Sequence, residues 1–254
     1  MSHEHAIDRL LVSTPQLWRG RQASRGQRAL PTGHARLDAR LPGKGWPLGA
    51  MTELISRKPG LGEFRLLFPA LAETGARGQW VILVDPPWRP YPAALHGHGL
   101  LLDRLLLVRT RGGKESLWAC EQALQNGRGG AVLAWPERIG FARLRRLQIA
   151  AGNSAKLAFL FRPENAFRDA SPAALRLQLE PGERHGTLIN ILKCRGSRPP
   201  DPVWIPQAFS AYAKRRCHTQ DHALLAENSI NAELAGSALP ATGAGPAHPR
   251  PKQH

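Results

Sequence analysis

Met51-Thr52-Glu53-Leu54-Ile55, then Ser56-Arg57-Lys58-Pro59-Gly60-Leu61-Gly62, then Glu63 to Glu73, then Trp80-Val81-Ile82-Leu83-Val84: this order of segments decides the fold. The first run is short and apolar, as a strand should be. Glu63 to Glu73 places Phe64, Leu67, Phe68 and Leu71 at helical spacing. Trp80 to Val84 is an unbroken apolar run, the signature of a strand covered on both faces. A strand, a glycine turn, a helix and a buried strand make a parallel βαβ unit.

Working outward, the same rhythm continues. A Pro-rich turn (Asp85 to Pro92) leads to a short helix near Ala93 to His98, and strands follow at Leu105 to Val108, Ala131 to Trp135 and Leu157 to Phe161. Helices at Lys114 to Gln125 and Phe141 to Ala150 separate those strands. After Ser171 the pattern changes to alternation at Leu175 to Leu179 and Leu188 to Leu192, divided by a turn at Pro181 to Gly186, which predicts an antiparallel hairpin. The expected class is α/β, a mostly parallel sheet flanked by helices, with a terminal antiparallel hairpin and flexible tails. Residues 1–48 are basic and turn-rich and predict a poor core; from about Gly196 periodicity is lost.

The chain has 254 residues and a formal net charge of +16, with 35 Lys+Arg against 19 Asp+Glu; only 7 of the basic residues are Lys. Arginine forks favour phosphate or carboxylate, so a polyanionic partner is one reading and a compositional bias toward Ala, Gly, Pro and Arg the other. Cys120, Cys194 and Cys217 are in no metal-like spacing, so neither a disulfide framework nor a zinc site is expected. Neither a signal peptide nor a membrane span is expected: the longest greasy stretch, Leu100 to Val108, is broken by Asp103 and Arg104. A cytoplasmic, nucleoid-associated location follows as an expectation.

The turn at Gly60 and Gly62 stands where a nucleotide phosphate would sit, at a helix N-terminus after a strand. A working phosphate loop follows its last Gly with Lys, for the β and γ phosphates, and then with Ser or Thr, for magnesium. Here those positions hold Glu63 and Phe64. A carboxylate repels the phosphates and a phenyl ring cannot bind the metal. By preference, Gly60 and Gly62 are explained simply by a tight strand-to-helix turn.

The lead-in Leu30 to Ile55, with its Thr32-Gly33, Leu37-Asp38 and Gly45-Trp46-Pro47-Leu48-Gly49, together with the later strand order, resembles the RecA core. Leu17-Trp18-Arg19-Gly20, the same Gly45 to Gly49 run, Asp85-Pro86-Pro87, Tyr91-Pro92, Ala134-Trp135 and Ile191 to Gly196 are similar to the ImuA family, some of whose relatives are labelled SulA-like cell-division inhibitors. That resemblance implies a basic N-terminal extension at 1–29, a RecA-like core at 30–196 and a C-terminal extension at 197–254, disordered toward its end. It implies a non-catalytic accessory role in SOS-induced, mutagenic translesion DNA synthesis. The implied partners are an ImuB-type relative of Y-family polymerases and an error-prone C-family polymerase. The alternative it carries is a SulA-like inhibitor binding FtsZ. Against the RecA pattern, Pro87 stands where a catalytic carboxylate is expected, and Ala131 to Trp135 ends without the magnesium-orienting Asp. No ATP hydrolysis, no cofactor and no metal are therefore expected.

The candidate contact residues are outside that loop. Phe141, Leu144, Leu147 and Gln148 share one helix face, and Arg143, Arg145 and Arg146 spread over the rest. The arginines either grip DNA or a protein partner or form a solvated face. Trp18 with Arg19, and Trp204 with Phe209 and Tyr212, combine the residue types enriched in interface hot spots; they are protein-docking candidates or edge-covering extensions. Asp85 is a caged acid or, by preference, an end-of-strand residue capping the next turn.

Overall fold

The computed structural model describes residues 28–57, 62–127, 129–136, 138–182, 186–197 and 199–206. Trp18, Arg19, Gly60, Phe209, Tyr212 and Cys217 lie outside the described residues.

The apolar runs form the elements their periods require. In chain order these are β1 (Ala29–Leu30), α1 (Ala35–Asp38), β2 (Trp46–Pro47), β3 (Ala50–Ser56), α2 (Glu63–Ala76), β4 (Trp80–Val84) and α3 (Pro92–Gly97). Then follow β5 (Leu105–Val108), α4 (Lys114–Gln125), β6 (Gly129–Ala134), α5 (Phe141–Gly152), β7 (Leu157–Pro163), β8 (Leu175–Pro181), β9 (Thr187–Cys194) and β10 (Val203–Ile205). The main sheet has eight strands in the order β10-β9-β8-β3-β7-β6-β4-β5. β8-β3, β3-β7, β7-β6, β6-β4 and β4-β5 pair in parallel, and β8-β9 and β9-β10 pair antiparallel. The sheet is thus mixed α/β, mainly parallel, flanked by helices and closed by the expected hairpin.

Alternation along each strand splits the core in two. Leu54, Leu83, Leu133, Phe159 and Leu177 point to one face with α2 and α3, while Met51, Ile82, Val132 and Leu160 point to the other with α4 and α5. β3 is central, so the loops at its C-terminal end and at those of β4, β6 and β7 converge on one edge of the sheet, where doubly wound folds place ligands.

Two expectations need correction. The described part of the segment up to residue 48, residues 28–48, does contribute to the core: Leu30, Leu37, Leu41 and Trp46 are 5% exposed or less. Trp46 packs edge-on against Phe159, ring centroids 5.2 Å apart, and so ties the turn-rich lead-in to the sheet. Gly33 (φ 81) completes this tie, because a Cβ there would come within 2.3 Å of Pro69. Nor does ordered pairing end near Gly196. β10 adds an edge strand, registering Trp204 with Leu188.

Both described cysteines belong to the core rather than to chemistry. Burial pushes the Cys120 thiol up to about 12 and raises that of Cys194 as well; the thiolate is the reactive species. In a Cys217→Ser variant, Ellman's reagent near pH 8 should therefore label neither thiol until denaturant is added. Prompt labelling of the native protein would contradict this burial.

Candidate functional site

At the convergent edge, Gly62 adopts φ 87 and leads directly into α2, a left-handed conformation that suits glycine. Glu63, the first helical residue, is 4% exposed. Phe64 turns its ring onto the ends of β6 and β7. It lies parallel to Trp135 at 6.0 Å and to Phe161 at 6.3 Å, and those two stack on each other at 4.3 Å with their planes 3° apart. Phe68 closes the group edge-on at 5.4 Å from Phe64. The sequence singled out Phe64 and the end of β6 separately, for the missing hydroxyl and the missing acid. The fold brings the two replacements together as stacked hydrocarbon. Such a cluster offers no oxygen ligand to a hard cation and no group to move a proton.

Beside it, the loop after β4 is pinned by side-chain hydrogen bonds. Asp85, at φ 49, accepts hydrogen bonds from the Thr110 N–H (2.7 Å) and hydroxyl (2.6 Å). The expected cap of the following turn is instead a clamp to the segment after the neighbouring strand β5. Arg109 donates to the carbonyls of Pro86 (2.5 Å) and Trp88 (3.1 Å). Trp88 and Tyr91 consequently project from a fixed backbone, 46% and 67% exposed.

On the opposite side of the sheet, α4 and α5 border a groove of about 300 Å³ lined by Lys114, Trp118 and Glu121 from α4 and by Arg143 and Arg146 from α5, over Leu117 and Leu147. Arg146 donates to Glu121 at 2.8 Å. Arg145 is exposed on the same helix. Leu144 and Leu147 face the core as expected and Gln148 accepts the Met51 N–H (3.1 Å), but Phe141, expected inward, is 50% exposed at the first turn of α5, beyond the edge of the core. Trp204 is partly buried in β10, its ring against Gly182 and Gly186 and under the Arg36 guanidinium at 5.7 Å.

Sequence reading missed a buried ionic cluster. Glu53 is fully buried in β3; its Oε2 accepts from Arg176 Nε at 2.7 Å and its Oε1 from Arg162 at 3.3 Å. Arg162 also pairs with Asp169 at 3.1 Å, and Arg176 donates to the Ala166 carbonyl at 2.6 Å. The signal was present as one charge in each of the largely apolar strands β3 and β7, while Arg176 was hidden in the polar alternation of β8. Lys156 was missed too: it donates to the carbonyls of Ala123 and Asn126 and so closes the C-terminus of α4.

Fold and site together define a doubly wound α/β domain whose phosphate-loop position is occupied by aromatic side chains. The chain is similar to three proteins named cell division inhibitor SulA. It is 30% identical over 147 residues to that of Serratia marcescens, covering 55% of this chain and 84% of the relative. To that of Photorhabdus laumondii it is 30% identical over 115 residues (45% of this chain, 65% of the relative), and to that of Edwardsiella piscicida 27% over 99 residues (39% and 59%). No family model matches. The chain belongs to the SulA family. It spans just under two thirds of the Photorhabdus protein's length, and among its described residues no helix is long and apolar enough to cross a membrane.

Proposed function

We propose that this protein is a non-enzymatic inhibitor of cell division, made in the SOS response, that acts by binding the tubulin-like protein FtsZ in the cytoplasm. The observation that carries the reading is the alignment over 84% of the Serratia protein named a cell division inhibitor. The aromatic filling of the phosphate-loop position supports the non-enzymatic half. For the contact itself, the loop from Pro86 to Tyr91 is the best-prepared surface. Exposed Trp and Tyr dominate interface energies, and a backbone already clamped by Asp85 and Arg109 loses little further freedom on docking.

The test is sedimentation of FtsZ polymers assembled with GTP, with and without the purified full chain. Polymer should fall as this protein approaches equimolar amounts, with no effect of ATP. The Trp88→Ala/Tyr91→Ala pair should weaken inhibition by roughly 30-fold or more, since hot-spot truncations cost about 2 kcal/mol or above. Undiminished polymer at excess protein would overturn the reading.

A second reading is an ImuA-type RecA-like accessory factor working with an ImuB-type protein and an error-prone C-family polymerase. What favours it is that the ImuA-like motifs run from Leu17 to Gly196, a span longer than any of the three SulA alignments. The central position of β3, followed by the glycine turn and α2, is compatible with a RecA-like core. That reading requires loss of damage-induced mutation on deletion and recovery of polymerases rather than FtsZ in a pulldown.

A further inference from the structure

The α4–α5 groove is assigned no role by either reading, and its chemistry differs from that of the Trp88 loop. Trp118 stands 63% exposed on α4, although a solvent-facing helical position needs no indole. The residues around it are cationic: Lys114 lies one turn before it, and Arg143 and Arg146 face it from α5. The single acid in the lining, Glu121, is 15% exposed and engaged by Arg146 at 2.8 Å. That pair fixes Arg146 across the groove and removes the one group that would repel an anion. Lys114, Arg143 and Arg145 form no ion pair with any described residue, and all three are exposed.

A flat aromatic face flanked by exposed cations, of which Lys114 and Arg143 form no ion pair with a described residue, matches a strand of nucleotides better than an acidic peptide. A base presents a π-face to the indole while its phosphates meet the guanidinium and ammonium groups, whereas carboxylates would use the cations and leave the ring in water. A duplex hides its base faces. The lining also has no hydroxyl or amide side chain to read a ribose 2′-OH.

We propose that this groove binds single-stranded nucleic acid, one base stacking on Trp118 and the adjoining phosphates held by Lys114, Arg143 and Arg146, without distinguishing DNA from RNA. The assignment is independent of which protein partner is correct.

The test is fluorescence anisotropy of labelled oligothymidylate, about 20 nucleotides long so that it exceeds the span of a small module, titrated with the full chain at several salt concentrations. Oligouridylate of equal length should bind similarly, and a duplex or polyglutamate clearly less well. Trp118→Ala should weaken binding about ten-fold with an unchanged salt slope, and Trp118→Phe should restore most of it. Arg143→Ala should instead flatten the salt slope by about 0.7. Both substitutions are on exposed positions, and matching far-ultraviolet dichroism and melting curves would establish that the variants are folded. Binding unaffected by Trp118→Ala, or equal for duplex or polyglutamate, would overturn the proposal and leave a diffuse basic surface.

Discussion

Glu53→Leu should destabilise the protein by about 3–5 kcal/mol, a large part of the roughly 5–15 kcal/mol that holds a domain together. The carboxylate is fully buried and bonded to two arginines whose side chains are 3% and 10% exposed. Leucine fills much of the space but leaves Arg176 facing only the Ala166 carbonyl and Arg162 only Asp169. A charge stranded in the interior costs far more than the pair itself contributes. The measurement is urea unfolding followed by circular dichroism. At a slope near 2 kcal/mol per molar, the midpoint should fall by roughly 2 M. Removing all three charges together, as Glu53→Leu/Arg162→Met/Arg176→Met, should recover most of that loss, because none of the three is then left stranded in the interior and Asp169, which loses Arg162, is half exposed to water. A single variant unfolding at the wild-type midpoint would mean that the cluster is open to water.

This cluster also shows where sequence reasoning stops. The strands themselves were legible: β4, β5 and α4 fall where the apolar period puts them, because each period is set by local geometry. Glu53 is separated from both Arg162 and Arg176 by more than a hundred residues of chain, and only the pairing of β3 with both β7 and β8 makes them neighbours. β10 was illegible for a different reason. Val203-Trp204-Ile205 is three residues long between prolines, and its stability comes from β9 rather than from its own pattern. Trp46 looks like a turn residue until Phe159, far away in sequence, is placed beside it, and Leu30 until it pairs with Trp46. For the groove, the helical period exposes Trp118, but the cations facing it belong to the next helix. At the phosphate-loop position the sequence stated which chemistry was lost. It could not state that the substitutes stack, since Phe64, Trp135 and Phe161 come from three elements.

That stack makes the last prediction sharp. The double substitution Glu63→Lys/Phe64→Thr rewrites the end of the phosphate loop to its working form, yet it should confer neither ATP hydrolysis nor magnesium-dependent ATP binding in the micromolar range. It should also destabilise the fold by about 3 kcal/mol, the lower end for truncating a core phenylalanine, because Phe64 is only partly buried. The reason lies in what remains. Trp135 and Phe161 still stack 4.3 Å apart at the ends of β6 and β7, so the position that should supply a carboxylate to magnesium is hydrocarbon. The new lysine, at a site now 4% exposed, would have to be desolvated without a phosphate to meet it. Equilibrium dialysis against labelled ATP, with and without magnesium, and urea unfolding measure the two halves separately. If ATP binding appeared with the substitutions, the loop would be an intact nucleotide site masked by two side chains. Micromolar binding by the unaltered protein would go further and remove the non-enzymatic reading altogether. If stability were unchanged, the rings would be adjacent without supporting one another. Loss of stability without gain of binding is the outcome expected of a scaffold in which the space beside the strand-to-helix turn is filled by stacked aromatic rings.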